Sequence, residues 1–370
     1  MKKFLFVLTM GFALFSMHFG SGNLVYPLEL GATFGQASLP ALLGLLVTAV
    51  GFPAVGFLSM VLFYGEPKAF FGRFGRLPAL LMIGVIVGVM RPFGCLARCV
   101  ALTHTITSQV YTGISLELFS ALSCLLIFFL TFRKNRIVAL LGKVLTPFLL
   151  VTLTLVMVFG LLTDKSFSPT MEESFSNFYQ GLFVGYQTMD LLAALFFCHI
   201  LFKPLASYAK KENLSLFSLA LQTSCVASFL LIVTYAGFGL LAATHADQLQ
   251  GVAPEFLLIR VSEYVLGAKG ALLTMVLVVF ACLTTAMALA TIFAEFLTVE
   301  LKFGYGYSLA LTCVIAYFGA TFGFTSIVAF LAPILQVLYP VLICWSLYHL
   351  VRKKVMLPCE ESEAHSCALL

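Results

Sequence analysis

Two short runs of glycine and polar residues interrupt long apolar stretches of the chain. The first is Gly20-Ser21-Gly22-Asn23, and the second is Gly185-Tyr186-Gln187-Thr188-Met189-Asp190. Because such runs form poor helix, each is expected to break a helix and leave backbone groups available to a ligand. A helix that begins after Gly22 would point N–H groups at the break, which suits an anionic group. The glycines would let that ligand approach the backbone closely.

Several polar side chains near these runs allow more than one interpretation. Asp190 is expected to be the acid deepest in the apolar region, where it could sense protons, pair with a cation or cap the helix that follows. His18 could donate a hydrogen bond to a ligand or bond to a nearby carbonyl. Gln187 and Asn23 carry amides that could bind a ligand or satisfy the broken backbone.

A third group of candidate residues lies in the second half of the chain. Ala281, Thr284 and Thr285 follow the spacing i, i+3, i+4, which places them on one face of a helix. Their oxygens suit a hard cation such as sodium. Each hydroxyl could instead bond to a carbonyl of its own helix, and both interpretations stay open.

The composition indicates that these residues lie in an integral membrane protein. Of 370 residues, 61% are hydrophobic and only 10% are charged, and the mean hydropathy is +1.06; ordinary soluble domains have roughly 25% charged residues. The net charge of +5 does not indicate nucleic-acid binding, because the basic residues are spread along the chain. The ten cysteines form no CxxC pair and the six histidines are scattered, so neither a resident cofactor nor an enzymatic site is expected.

About ten transmembrane helices are predicted, since about 20 apolar residues cross the hydrocarbon core of a bilayer. The predicted spans are 4–33, 39–64, 77–106, 115–132, 136–162, 174–202, 213–243, 267–297, 305–322 and 325–351. With both termini in the cytoplasm, sixteen lysines and arginines lie in or beside the inner segments and three in the outer ones. This bias is the one expected from the positive-inside rule, and a missed span would scramble it.

The positions of the two breaks predict an inverted repeat. They fall in the first and sixth spans, which correspond to each other in two halves of five helices. Matched broken helices of this kind are typical of secondary transporters whose binding site lies at the breaks. We therefore expect one all-α transmembrane domain in a 5+5 inverted repeat, with a first repeat over about 4–162, a second over about 174–351 and a cytoplasmic tail over 352–370.

Five sequence blocks resemble the bacterial branched-chain amino acid carriers and follow the order of that family. They are residues 11–27, 142–147, 185–190, 281–285 and 338–340. The resemblance implies a LeuT-like fold in the bacterial inner membrane and uptake of Leu, Ile and Val, with Met conceivable, coupled to sodium or protons. Family members usually have twelve helices. The chain also departs from the family pattern at His18 and at Ala97-Arg98-Cys99.

The chemistry of the breaks and the resemblance together predict roles for individual residues. The substrate would lie among the residues of the two breaks, namely His18, Gly20, Ser21, Gly22, Asn23, Gly185, Tyr186, Gln187 and Thr188. Its ammonium group would meet carbonyls freed in the second break. Sodium would lie among oxygens of Ser16, Phe19, Ala281, Thr284 and Thr285, while Arg98 and Asp190 would gate or couple transport. The expected partners are an amino acid, a monovalent cation and the lipid bilayer; an amino-acid-binding membrane sensor or a passive channel of the same architecture remains the alternative.

Overall fold

The chain folds into α-helices joined by short turns and tighter or wider helical segments. The structure is a computed structural model, and it describes residues 2–75, 77, 82–86, 93–133, 137–163 and 174–360, among which there is no β-strand. The helices discussed below are α1 (Lys2–His18), α2 (Ser21–Phe34), α3 (Ser38–Leu46), α4 (Phe52–Val61), α5 (Pro67–Phe71), α6 (Cys95–Val110), α7 (Leu116–Thr131), α8 (Ile137–Leu140), α9 (Thr146–Thr163), α10 (Ser174–Tyr186), α11 (Asp190–Lys211), α12 (Leu216–Thr244), α13 (Leu257–Leu266), α14 (Ala268–Leu301), α15 (Tyr305–Ala320) and α16 (Phe324–Glu360).

The predicted all-α membrane architecture is confirmed. Six segments of the described chain are long and apolar enough to cross a membrane, and they are Ser21–Val61, Ile137–Leu162, Asp190–Lys211, Leu216–Thr244, Ala268–Leu301 and Phe324–Arg352. Helices α7 and α15 are shorter and apolar. Each predicted span contains described helix, although part of the third and the first residue of the fifth lie outside the described residues. The number of spans and the inverted repeat stay predictions.

The first and sixth spans are both broken, but the breaks are shorter than predicted. Helix α1 ends at His18 and α2 begins at Ser21, so most of the first glycine-rich run belongs to the first turn of α2. Helix α10 ends at Tyr186 and α11 begins at Asp190. Between them Met189 adopts a left-handed conformation with φ of +66°, which turns the chain without a glycine.

Each broken span packs along an unbroken helical segment from the other half of the chain. Both α1 and α2 pack on α12, while α10 packs on α3 and α11 packs on α4. Glycines allow the closest approach, since a Cβ on Gly181 would collide with the Ala41 carbonyl and one on Gly44 would collide with the Phe178 carbonyl. Helices α6 and α14 pack on each other beside the breaks.

Three features of the fold were not predicted. π-Helical turns at Val47–Gly51 and Leu141–Leu145 join α3 to α4 and α8 to α9. Helix α13 lies in a segment that was expected to be an outer loop. Helix α16 continues to Glu360, so the first part of the expected tail 352–370 is helical and the rest lies outside the described residues.

Candidate functional site

The first break is held by the side chain of Asn23. The backbone N–H of Gly20 donates to Asn23 Oδ1 over 3.1 Å, and the carbonyl of Gly20 accepts from the N–H of Leu24 over 3.2 Å. The oxygen of the Asn23 amide therefore bonds to the backbone at the break, which is one of the two roles predicted for this residue. The other end faces the second break.

Asp190 connects the two breaks. Its Oδ2 accepts from Asn23 Nδ2 over 2.7 Å and from the Tyr235 hydroxyl over 2.8 Å, and Asn23 Nδ2 also contacts that hydroxyl. All three side chains are buried, with 1% of Asp190 exposed. The interpretation of Asp190 as a capping residue is wrong, because Met189 precedes α11 and the carboxylate of Asp190, the first residue of α11, turns toward α2 and α12.

Arg98 of α6 is the second link between the breaks. Its Nε donates to Ser21 Oγ over 3.0 Å, while Nη1 donates to the carbonyl of Gln187 over 2.8 Å and lies 3.4 Å from the Tyr26 hydroxyl. The guanidinium carbon also lies 5.9 Å from the centre of the Tyr26 ring. Arg98 Nη2 and Gln187 Oε1 are buried without a hydrogen-bond partner, so the site holds both a spare donor and a spare acceptor.

Three of the four carbonyls of the second break already accept a hydrogen bond, whereas free carbonyls were expected for the ammonium group. The Gly185 carbonyl accepts from Thr188 Oγ1 over 2.8 Å, and the Tyr186 carbonyl accepts from the N–H of Met189 over 3.2 Å. The carbonyl of Gln187 accepts from the guanidinium just described. Thr188 Oγ1 in turn accepts from the first N–H of α11 over 3.4 Å. These bonds leave the carboxylate that begins α11 as the stronger acceptor at this point.

One hydrogen bond links the predicted ion ligands of α1 to those of α14. Thr285 Oγ1 donates to the Ser16 carbonyl over 3.2 Å, across the interface between the two helices. Its side chain lies against Gly20, where a Cβ would be 2.9 Å from Oγ1. Thr284 Oγ1 donates to the Ala281 carbonyl of its own helix over 2.9 Å. Thr284 therefore makes the local bond of the second interpretation, Thr285 contacts the facing helix instead, and sodium binding by either residue stays a prediction.

His18 and Phe19 end the first half of the broken span. His18 Nδ1 lies 2.8 Å from the Leu14 carbonyl, and its ring meets the Phe197 ring edge-on at 5.1 Å. These contacts favour the interpretation in which His18 bonds to a nearby carbonyl rather than to a ligand. The N–H of Phe19 donates to the Phe15 carbonyl over 2.8 Å, so helical hydrogen bonding continues to the residue before Gly20.

Comparison with known proteins decides the family. The sequence pattern of the family described as "Branched-chain amino acid transport protein" matches residues 4–365. The chain belongs to this family. The match covers nearly the whole chain, and the family is one of transport proteins rather than enzymes.

Curated relatives and solved structures agree with this assignment. The chain is 26% identical over 345 residues to the branched-chain amino acid permease BraB of Bacillus subtilis (strain 168), with 90% of this chain and 77% of the relative covered. It is 26% identical over 355 residues to a provisionally named branched-chain amino acid carrier protein of Staphylococcus saprophyticus, with 90% and 79% covered. The crystal structure of MhsT in complex with L-phenylalanine is similar with a TM-score of 0.57 at 15% identity, covering 90% of this chain and 87% of that chain. This member of the branched-chain amino acid transport family therefore has a LeuT-like fold and is a multi-pass membrane protein.

Proposed function

We propose that this chain is a secondary active transporter that imports Leu, Ile and Val, and Met in a wider pocket, by symport with a monovalent cation and alternating access. It would act in the bacterial inner membrane with both termini in the cytoplasm. The observation that carries the proposal is the joining of the two helix breaks at buried, oppositely charged side chains. Such a site offers complementary groups to both ends of a zwitterion.

The amino acid would lie at the junction of the breaks. Its ammonium group would bind the carboxylate of Asp190, since three of the four neighbouring carbonyls already have donors and Asn23 and Tyr235 hold this carboxylate in place. The first turn of α2 would offer N–H groups to the substrate carboxylate, because those donors have no intrahelical acceptor. The apolar side chain would be desolvated among the surrounding helices, which stabilises binding in proportion to the apolar area buried.

The coupling ion would lie between α1 and α14. The Ser16 carbonyl, the carbonyls of Phe19 and Ala281, and the hydroxyls of Thr284 and Thr285 are neutral oxygens, which hard cations accept as ligands. A bound sodium ion would require the Thr285 hydroxyl to turn its proton away from the Ser16 carbonyl and its lone pairs toward the ion. Since this contact joins the first break to α14, ion binding would stabilise one arrangement of the two helices.

Uptake into proteoliposomes tests substrate and ion together. Purified protein is reconstituted, and labelled leucine uptake is followed with an inward sodium gradient or with potassium in its place, at equal pH on both sides. We expect saturable accumulation that depends on sodium. In Thr285→Val, which loses the hydroxyl at nearly constant volume, the half-saturating sodium concentration should rise about tenfold, the effect of losing roughly 1.4 kcal/mol of ion binding.

Thr234→Val is the matched control. Its hydroxyl is also buried, but it bonds to the Leu230 carbonyl within α12, so the sodium dependence should be unchanged. Accumulation driven only by a proton gradient would reject the sodium site and retain the transporter. Absence of leucine, isoleucine and valine uptake by folded protein would reject the substrate assignment.

A further inference from the structure

Arg98 is a buried cation without a counter-ion. It is 1% exposed, and among the described residues no carboxylate lies within 4.0 Å of its guanidinium. Asp190 is close enough to interact with it electrostatically but does not form an ion pair. A buried charge is strongly unfavourable without compensation. An anionic ligand bound beside the Arg98 guanidinium would supply that compensation.

The hydrogen bonds of Arg98 show which atom would meet that anion. Nε and Nη1 are engaged by Ser21 and Gln187, whereas Nη2 is buried and unpaired. Nη2 lies beside Gly22, only 2.7 Å from where a Cβ on that residue would stand. Gly22 is in the first turn of α2, a helix of 14 residues, so a cationic donor and a helix N-terminus converge on one place.

We propose that Arg98 binds the α-carboxylate of the transported amino acid through Nη2, together with the N–H groups that begin α2. This inference rests on the proposed function and adds a selectivity rule to it. Arg98 at one end and Asp190 at the other set the site to require a zwitterion. Amines and alcohols with the same apolar side chain are excluded because they leave the guanidinium buried and unpaired.

Gly22 has a defined part in this arrangement. Any side chain there would occupy the space next to Nη2 and would also press on the backbone of Thr188, whose Cα would be 3.0 Å from the new Cβ. A carboxylate could not then approach Nη2, although the charge of Arg98 would remain. Gly22→Ala therefore tests the same contact without removing the cation or its bonds to Ser21 and Gln187.

The experiment measures equilibrium binding to the purified protein in detergent. Labelled leucine is displaced by unlabelled leucine or by leucinol, a leucine analogue in which a hydroxymethyl group replaces the carboxylate. The wild type is expected to prefer leucine strongly. Arg98→Gln should weaken leucine about 10- to 100-fold, the range for a hydrogen bond between charged groups. The dissociation constant for leucinol should change by less than about threefold, so the variant should lose most of the preference for leucine over leucinol. Gly22→Ala should likewise reduce the preference for leucine over leucinol.

Tyr26→Phe is the control, because it removes only the 3.4 Å contact of Nη1 and should leave the preference at the wild-type value. A purely structural role for Arg98 would weaken leucine and leucinol in parallel, and this would overturn the inference while leaving the transporter intact. If Arg98→Gln does not fold, Gly22→Ala decides, and an unchanged preference in that variant overturns the inference. A wild type that binds no branched-chain amino acid would reject the proposed function, and the inference with it.

Discussion

Two charged side chains determine the chemistry available inside this protein. Among the described residues, Arg98 and Asp190 are the only lysine, arginine, aspartate or glutamate side chains that are buried. Both lie at the helix breaks, where each bonds to partners from other helices. Because ionisable groups at membrane depth are costly and usually functional, these two residues are the natural points of contact for a charged solute.

Replacement of Asp190 by asparagine should weaken binding of substrates that carry an amino group. The asparagine oxygen can still accept from Asn23 and Tyr235, so the local structure is kept while the charge is lost. Leucine binding should weaken about 10- to 100-fold, as for a lost hydrogen bond between charged groups. Binding of 4-methylpentanoate, which lacks the amine, should not weaken. Equal weakening of both ligands in a competition assay would contradict the role of Asp190 as the ammonium acceptor.

Some of these residues could be predicted from the sequence and others could not. Asp190 and the residues of the breaks stand out because polar and glycine residues are rare in apolar runs. Tyr235 gives no such signal, since a tyrosine is ordinary in a membrane helix and its partner lies 45 positions away. The direction of the Asp190 carboxylate likewise depends on where α2 and α12 pack, which is why local capping was the wrong interpretation.

At the scale of helices, glycine-mediated packing positions the second break. Gly181 and Gly185 of α10 face α3 and the π-helical turn after it, and a Cβ on Gly185 would collide with the Thr48 hydroxyl. These contacts bring backbone against backbone over the half of the sixth span that precedes its break. The geometry of the second break therefore depends on the absence of side chains along this face.

The packing between α3 and α10 predicts a sharp difference between two glycine variants. Gly181→Ala places a methyl group against the Ala41 carbonyl, and such overpacking costs about 1–3 kcal/mol. Thermal unfolding of the protein in detergent should begin at a lower temperature. Gly51→Ala is the matched control on the adjoining helical segment, because the nearest atom to its new Cβ is 3.9 Å away. Equal stability of the two variants would show that α3 and α10 are less tightly packed.

The helices themselves were easier to predict than their irregularities. Hydropathy identifies apolar spans because every backbone polar group in lipid must be satisfied within a helix. The breaks followed from glycine and polar residues within those spans. The two π-helical turns, Val47-Thr48-Ala49-Val50-Gly51 and Leu141-Gly142-Lys143-Val144-Leu145, carry no sequence pattern that distinguishes them from α-helix. Their positions depend on how the flanking helices pack.

On the scale of the whole molecule, a cavity lies toward each end of the first broken span. One of about 590 Å³, beside the start of α1, is lined by Lys2, Lys143 and Lys203 among others. Another of about 580 Å³, beside the end of α2, is lined by Glu29 and Asp247 among others. The end with the three lysines is the one that the loop charges predict to be cytoplasmic. In the proposed transport cycle, these cavities would serve in turn as the two approaches to the site between the breaks.

Counterflow tests most directly whether this central site carries the amino acid across the membrane. Proteoliposomes loaded with unlabelled leucine are diluted into labelled leucine, with equal sodium and equal pH on both sides. A carrier should accumulate label transiently above its equilibrium level, because outward movement of unlabelled leucine returns the site to the outer face. Label that rises only to equilibrium, as through a channel, or that binds without entering, as in a sensor, would contradict the account.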